Sequence, residues 1–152
     1  MTGTGPDLIV QNAAASAGVP SESFFETCVR KALPGITGEL VIRIVDSDES
    51  AALNEQYRGR SGPTNVLAFP AGTMPAGPAL LGDIVICAPV VMSEADQQGK
   101  SAEAHWAHIV IHGCLHLAGF DHVADPDAEE MEARERALLA DLGIADPYPG
   151  ER

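Results

Sequence analysis

Wound as a helix, the segment around Trp106, Ile109, Val110, Ile111, Leu115 and Leu117 shows apolar side chains over most of its circumference. A helix apolar on nearly every side cannot lie on a surface, so the fold has to enclose it. Polar imidazoles interrupt this helix at His112 and His116, and the run continues His112-Gly113-Cys114-Leu115-His116-Leu117-Ala118-Gly119-Phe120-Asp121-His122. Burying imidazoles in apolar surroundings is costly unless something satisfies them, and a metal ion does so. Residues i and i+4 lie about 40° apart around a helix axis, so His112 and His116 project from one face. Gly119 stands where the helix should end, because glycine takes the positive-φ conformation of a helix C-terminus at little cost. The chain then turns back and carries His122 towards the first two rings. Three neutral imidazoles with an open fourth position form a catalytic zinc site, in contrast to the closed four-ligand structural kind. The spacing is that of the long zinc-protease motif, but Gly113 stands where those enzymes keep a glutamate general base. The motif therefore points to a metal-dependent hydrolase and away from an ordinary metalloprotease.

His105 and His108 share the stripe of His112, so the helix alone offers four candidate ligands. The turn at Gly119 selects the pair nearest His122, which makes His108 a neighbour of the site and His105 structural. Cys114 is about 200° around the helix from His112 and reads as a small core residue.

At 152 residues, with 45% hydrophobic residues but only four Phe, two Tyr and one Trp, the chain reads as a single domain (1–152) with an aliphatic core. It has no apolar run long enough to span a membrane and no secretory signal at its N-terminus. Cys28, Cys87 and Cys114 form no C-x-x-C pair, which suits reduced thiols and a cytoplasmic location. The formal charge of −13 argues against tight binding along a nucleic-acid strand. Ten of the 22 acids lie between Asp121 and Glu151, in what reads as a separate, solvated tail helix, whereas Arg43, Arg58, Arg60 and Lys100 occupy the centre of the chain. A local field at a cleft matters more to one bound phosphate than net charge does.

Along the chain, alternation and punctuation predict strands at Asp7–Asn12, Glu39–Asp46, Thr64–Phe69 and Leu81–Cys87. Helices are expected over Pro20–Leu33, from Ser47 through Tyr57 with Gly59 closing it, over Ala88–Gln98, from the Ser101 cap onward, and over Pro126–Leu142. The last is read as amphipathic through Met131, Ala137, Leu138 and Leu142. Residues Ala71–Ala79, with Gly72, Pro75, Gly77 and Pro78, read as a loop. The expected fold is α+β: a mixed sheet of about four strands, with the metal-binding helix buried against it.

The run from Glu103 to His122 resembles the signature of the YbeY family of endoribonucleases. Three further blocks match it: Asn54-Glu55-Gln56-Tyr57-Arg58-Gly59, Pro63-Thr64-Asn65-Val66-Leu67-Ala68-Phe69-Pro70 and Leu80-Leu81-Gly82-Asp83-Ile84-Val85-Ile86-Cys87. Acidic Glu129-Glu130-Met131-Glu132 and Asp146-Pro147-Tyr148 extend the likeness. Ala68 and Ser61 depart from the family's usual Ser and Asp, and the first fifty residues match only in general pattern. The resemblance implies a zinc-dependent, single-strand-specific endoribonuclease of the bacterial cytoplasm, acting in ribosomal RNA maturation and ribosome quality control. It places one Zn²⁺ per chain on His112, His116 and His122 and the family's essential arginine on Arg58, so these four are the candidate catalytic residues. It further implies single-stranded RNA, weakly held, and a ribosomal subunit or ribosome-associated protein as partners, with no membrane and no DNA.

Zinc can acidify a water and polarise a phosphoryl oxygen, and Arg58 can bind a phosphate in a bidentate fork. An ion pair with Glu55, one turn earlier, is the alternative reading of Arg58; Arg60 stands between phosphate contact and solvated loop charge. Asp121 is a candidate acceptor for a ligand imidazole, or equally a helix-end cap. The rival functions are a metalloprotease, which would need a substitute for the glutamate missing at Gly113, and a non-catalytic ribosome-assembly factor with a metal site.

Overall fold

The computed structural model describes residues 6–15, 18–36, 38–70, 80–118 and 125–144. The expected turn at Gly119, with Asp121 and His122, and the expected loop at 71–79 lie outside the described residues. Four strands form one mixed sheet in the order β1-β2-β4-β3: β1 (Asp7–Asn12), β2 (Glu39–Val45), β3 (Val66–Pro70) and β4 (Leu80–Cys87). β1 and β4 flank β2 in parallel, and β3 closes the edge antiparallel to β4. The helices are α1 (Glu22–Ala32), α2 (Ser47–Arg58), α3 (Ala88–Gln97), α4 (Ala102–Leu117) and α5 (Asp125–Asp141). This is the α+β architecture expected.

Local chemistry sets most boundaries. The Ser21 and Ser101 side chains accept from the third residue of α1 and α4, Phe24 and Ala104, satisfying N–H groups that a helix start leaves unpaired. Gly59 ends α2 in the left-handed conformation, φ +67°. β3 begins at Val66, two residues later than alternation suggests. The Ser50 hydroxyl accepts from Thr64 N–H and donates to Thr64 C=O, both at 3.0 Å, and so pins that backbone to α2. Pro70 belongs to β3 instead of stopping it, which an edge strand tolerates because part of its backbone has no ladder partner.

β2 and β4 turn Leu40, Ile42, Ile44, Ile84 and Ile86, all fully buried, towards α1 and α4. Phe25 and Trp106 pack edge to face within this layer, ring centroids 5.8 Å apart. The opposite face carries a smaller cluster of Val45, Leu67, Val85 and Cys87, against which Leu53 of α2 packs. α4 is the enclosed helix foreseen: Trp106, Ala107, Ile109, Val110, Ile111, Gly113, Cys114 and Leu115 are all buried.

The last helix corrects the sequence reading. α5 is no separate, solvated tail, since it packs on α4 and delivers Met131 and Leu139 to the main core at 0% exposure. Its buried stripe is Met131, Glu135, Leu139, spaced by four, whereas Ala137 faces solvent. An acid sits in the middle of that stripe, and its partners are the histidines of α4.

Candidate functional site

The stripe foreseen on α4 forms as a stack of rings. Successive centroid separations are 5.9 Å for His105–His108, 6.2 Å for His108–His112 and 4.8 Å for His112–His116. The pair near the end of α4, His112–His116, is the closest of the three. His122 lies outside the described residues, so the third ring of the motif is not placed.

Each ring has its own environment. His105 is buried, and its Nε2 lies 2.8 Å from Glu94 Oε1. Burial holds its pKa below the ordinary imidazole value, with Glu94 opposing, so His105 is a neutral donor to Glu94 and structural, as the sequence suggested. His108 Nε2 lies 3.3 Å from Glu135 Oε1. His112 Nδ1 lies 2.6 Å from Glu135 Oε2. Glu135 thus reaches across from α5 and divides its two oxygens between two rings of α4, and its side chain is completely buried.

His112 and His116 line a cleft of about 600 Å³, with Gly113 between them. Its far wall is β3 from Val66 to Phe69, and Tyr57 and Arg58 at the end of α2 complete it. Tyr57 is exposed and packs edge to face on Phe69 at 5.1 Å. Arg58 is exposed and makes no ion pair among the described residues, Glu55 included, which removes the salt-bridge alternative there. Arg60 is likewise exposed and without an ion pair among the described residues. Arg43, by contrast, is bound in a fork by Glu49 at 2.7 and 3.0 Å and is not available to a ligand. A larger cavity of about 900 Å³ lies between α1, the start of α4 and the end of α5; it touches His108 but neither His112 nor His116.

The donor set fits a metal ion. Donor atoms of His108, His112 and Glu135 lie within 4.8 Å of one another, close enough to hold one. The His112 ring is also polarised from behind by a carboxylate, the usual condition of a metal-binding imidazole. Gly113 explains the missing glutamate of the protease motif: a Cβ there would stand 3.0 Å from Ile84 Cγ2, 3.3 Å from its Cδ1 and 3.4 Å from Val66 Cγ2. The position is spent on close contact between helix and sheet, and no side chain can act from it.

Sequence reasoning brought together His112, His116 and Arg58, and it missed Glu135. The only signal was the four-residue spacing Met131–Glu135–Leu139, which a search for apolar periodicity passes over.

Comparison with known proteins gives a consistent answer. Residues 12–143 match the family described as Endoribonuclease YbeY. The Endoribonuclease YbeY of Methylococcus capsulatus is 56% identical over 144 residues, covering 93% of this chain and 95% of that one. The protein of the same name from Stenotrophomonas maltophilia is 52% identical over 153 residues, covering 96% of this chain and 95% of that one. A solution structure from Thermotoga maritima superposes with a TM-score of 0.58 at 25% identity, covering 95% of this chain and all of its own.

Proposed function

The chain belongs to the YbeY family of endoribonucleases, and from that membership we propose that it is a zinc-dependent, single-strand-specific endoribonuclease acting in ribosomal RNA maturation and ribosome quality control in the cytoplasm. The observation that carries this reading is one cleft lined by both His112 and His116 together with an arginine that no acid among the described residues neutralises. His112, His116 and His122 hold the ion, one per chain. Zinc in such a site supplies Lewis acidity towards a phosphoryl oxygen and acidifies a water. Arg58 binds the phosphate at the target linkage through its planar fork and offsets charge that gathers on the phosphoryl oxygens. Gly113 and the β3 wall keep the floor of the cleft tight and, among the described residues, without a carboxylate, which is unsuited to peptide hydrolysis by the protease route. Partners are single-stranded RNA and a ribosomal subunit or ribosome-associated protein.

A second arrangement, with the ion on His108, His112 and Glu135, is favoured by their mutual closeness. Metal stoichiometry separates the two. His116→Ala should lose the ion and His108→Ala should keep it; the reverse pattern moves the site inward. Activity is read with a fluorogenic single-stranded RNA and with casein, each with and without a chelator. Chelator-sensitive RNA cleavage with intact casein is expected. Casein digestion, or a fully metal-loaded protein that leaves RNA intact, overturns the proposal.

A further inference from the structure

We propose that Glu135 is a positioning residue for the metal site: its carboxylate holds His112 in the tautomer and orientation that present Nε2 to the cleft. The inference rests on the reading of His112 and His116 as ligands, and deepens it.

A carboxylate with no accessible surface is retained only where hydrogen bonds replace the water it has lost. Glu135 makes such bonds through Oε2 with His112 Nδ1 at 2.6 Å and through Oε1 with His108 Nε2 at 3.3 Å. An ionised carboxylate only accepts, so each ring nitrogen facing it is the donor. A neutral imidazole that donates from Nδ1 has its lone pair on Nε2, which fixes the coordinating atom of His112. The second oxygen is tied to His108 one turn back along α4, so the carboxylate plane cannot swing away from His112 without losing that bond.

The separation of 2.6 Å between Glu135 Oε2 and His112 Nδ1 is the length of a charge-assisted hydrogen bond. Position in the fold supports the same conclusion. Glu135 stands between Met131 and Leu139, both fully buried, so its backbone is fixed by the packing that docks α5 on α4. The carboxylate is therefore held by the core on one side and by two rings of one helix on the other.

The test is metal affinity, measured by competition with a chromophoric chelator on Glu135→Gln and Glu135→Ala, beside thermal melting of each metal-free protein. Gln keeps an oxygen acceptor for His112 but loses the charge, so about a tenfold loss in zinc affinity is expected, and up to about a hundredfold for Ala. X-ray absorption at the zinc edge should show the same ligand shell in Glu135→Gln as in wild type. A merely structural tie would lower the melting temperature of the metal-free Gln variant and leave its zinc affinity unchanged, which overturns the proposal. A changed ligand shell in Glu135→Gln overturns it too, since Glu135 would then be a ligand. Should Ala not fold, the Gln variant decides alone. A wild-type chain that binds no zinc would defeat the zinc-site reading itself, an outcome distinct from either of these.

Discussion

Arg58, like Arg60, lacks among the described residues the acid partner that Arg30, Arg43 and Arg136 have. Arg43 is clamped by Glu49, Arg30 pairs with Glu26 at 3.3 Å, and Arg136 lies 3.9 Å from Glu132. Arg58 lies on the wall of the cleft that holds His112 and His116, exposed and with its five donors uncommitted among the described residues. A permanent cation left unpaired beside candidate metal ligands suits a group that is anionic and arrives from outside. Arg58→Ala should therefore keep the fold and the zinc content yet lose RNA cleavage by about 10²- to 10³-fold, the range found when one preorganised donor to a developing oxyanion is removed. Lys should recover only part, because an ammonium cannot grip two phosphoryl oxygens in a plane. Single-turnover cleavage of a short RNA measures both, and undiminished cleavage by Arg58→Ala would leave the arginine as surface charge. Spacing alone left Arg58 open between phosphate and Glu55. Among the described residues no ion pair joins Arg58 to Glu55, a fact of side-chain placement that no sequence pattern encodes.

At the scale of elements, the site depends on how closely α4 approaches β3 and β4. Gly113 sets that distance, for the space its missing Cβ would fill is occupied by fully buried Ile84 on β4 and by Val66 on β3. Alanine there gains about 1 kcal/mol of helix propensity but overpacks the interface at a cost of about 1–3 kcal/mol. Ile84 is β-branched and held on a central strand, so it yields little. Gly113→Ala should be net destabilising by about 1 kcal/mol in urea denaturation, and Gly113→Glu, which also buries an unpaired carboxylate, should not fold. An alanine variant more stable than wild type would show that α4 can ride outward. The elements themselves were largely legible, because caps, apolar period and the closing glycine are local signals. Ser101 and Gly59 fall where expected. The failures are non-local. β3 starts late because Ser50, fourteen residues earlier in the chain, captures the backbone of Thr64. Of the residues expected to face inward at the last helix, Met131, Leu138 and Leu142 do meet the core and Ala137 does not; what was missed is the central inward acid, Glu135, whose burial makes sense only beside histidines more than twenty residues away. Apolar periodicity sees the residues that avoid water; it does not see one that has exchanged water for two imidazoles.

For the molecule as a whole, the question is how a chain of net charge −13 engages RNA. Part of the acidity is spent internally. Glu135 is buried against His108 and His112, Glu49 binds Arg43, Glu94 binds His105, and Asp141 lies 3.7 Å from Lys31. The same pairings consume cations, however. Arg43, Arg30, Lys31 and Arg136 are all engaged by acids, Arg134 is not free, and Lys100 is half-buried near Glu94. Among the described residues, that leaves Arg58 and Arg60, two positions apart, as the exposed cations open to phosphate. Such a surface touches a strand at one point and has no basic track to follow along it. Each phosphate neutralised on a single strand contributes about −0.7 to the slope of log affinity against log salt. Two contacts, with a small further share from the metal site, give an expected slope between about −1 and −2. Fluorescence anisotropy of a labelled, uncleaved oligonucleotide across a salt series measures it. A slope of about −5 or steeper would require a basic surface that Arg58 and Arg60 cannot supply. A shallow slope combined with weak affinity for naked RNA would mean that the charge excludes free strands, so that access to a target is granted only where a ribosomal or protein partner holds the RNA against the Arg58 cleft.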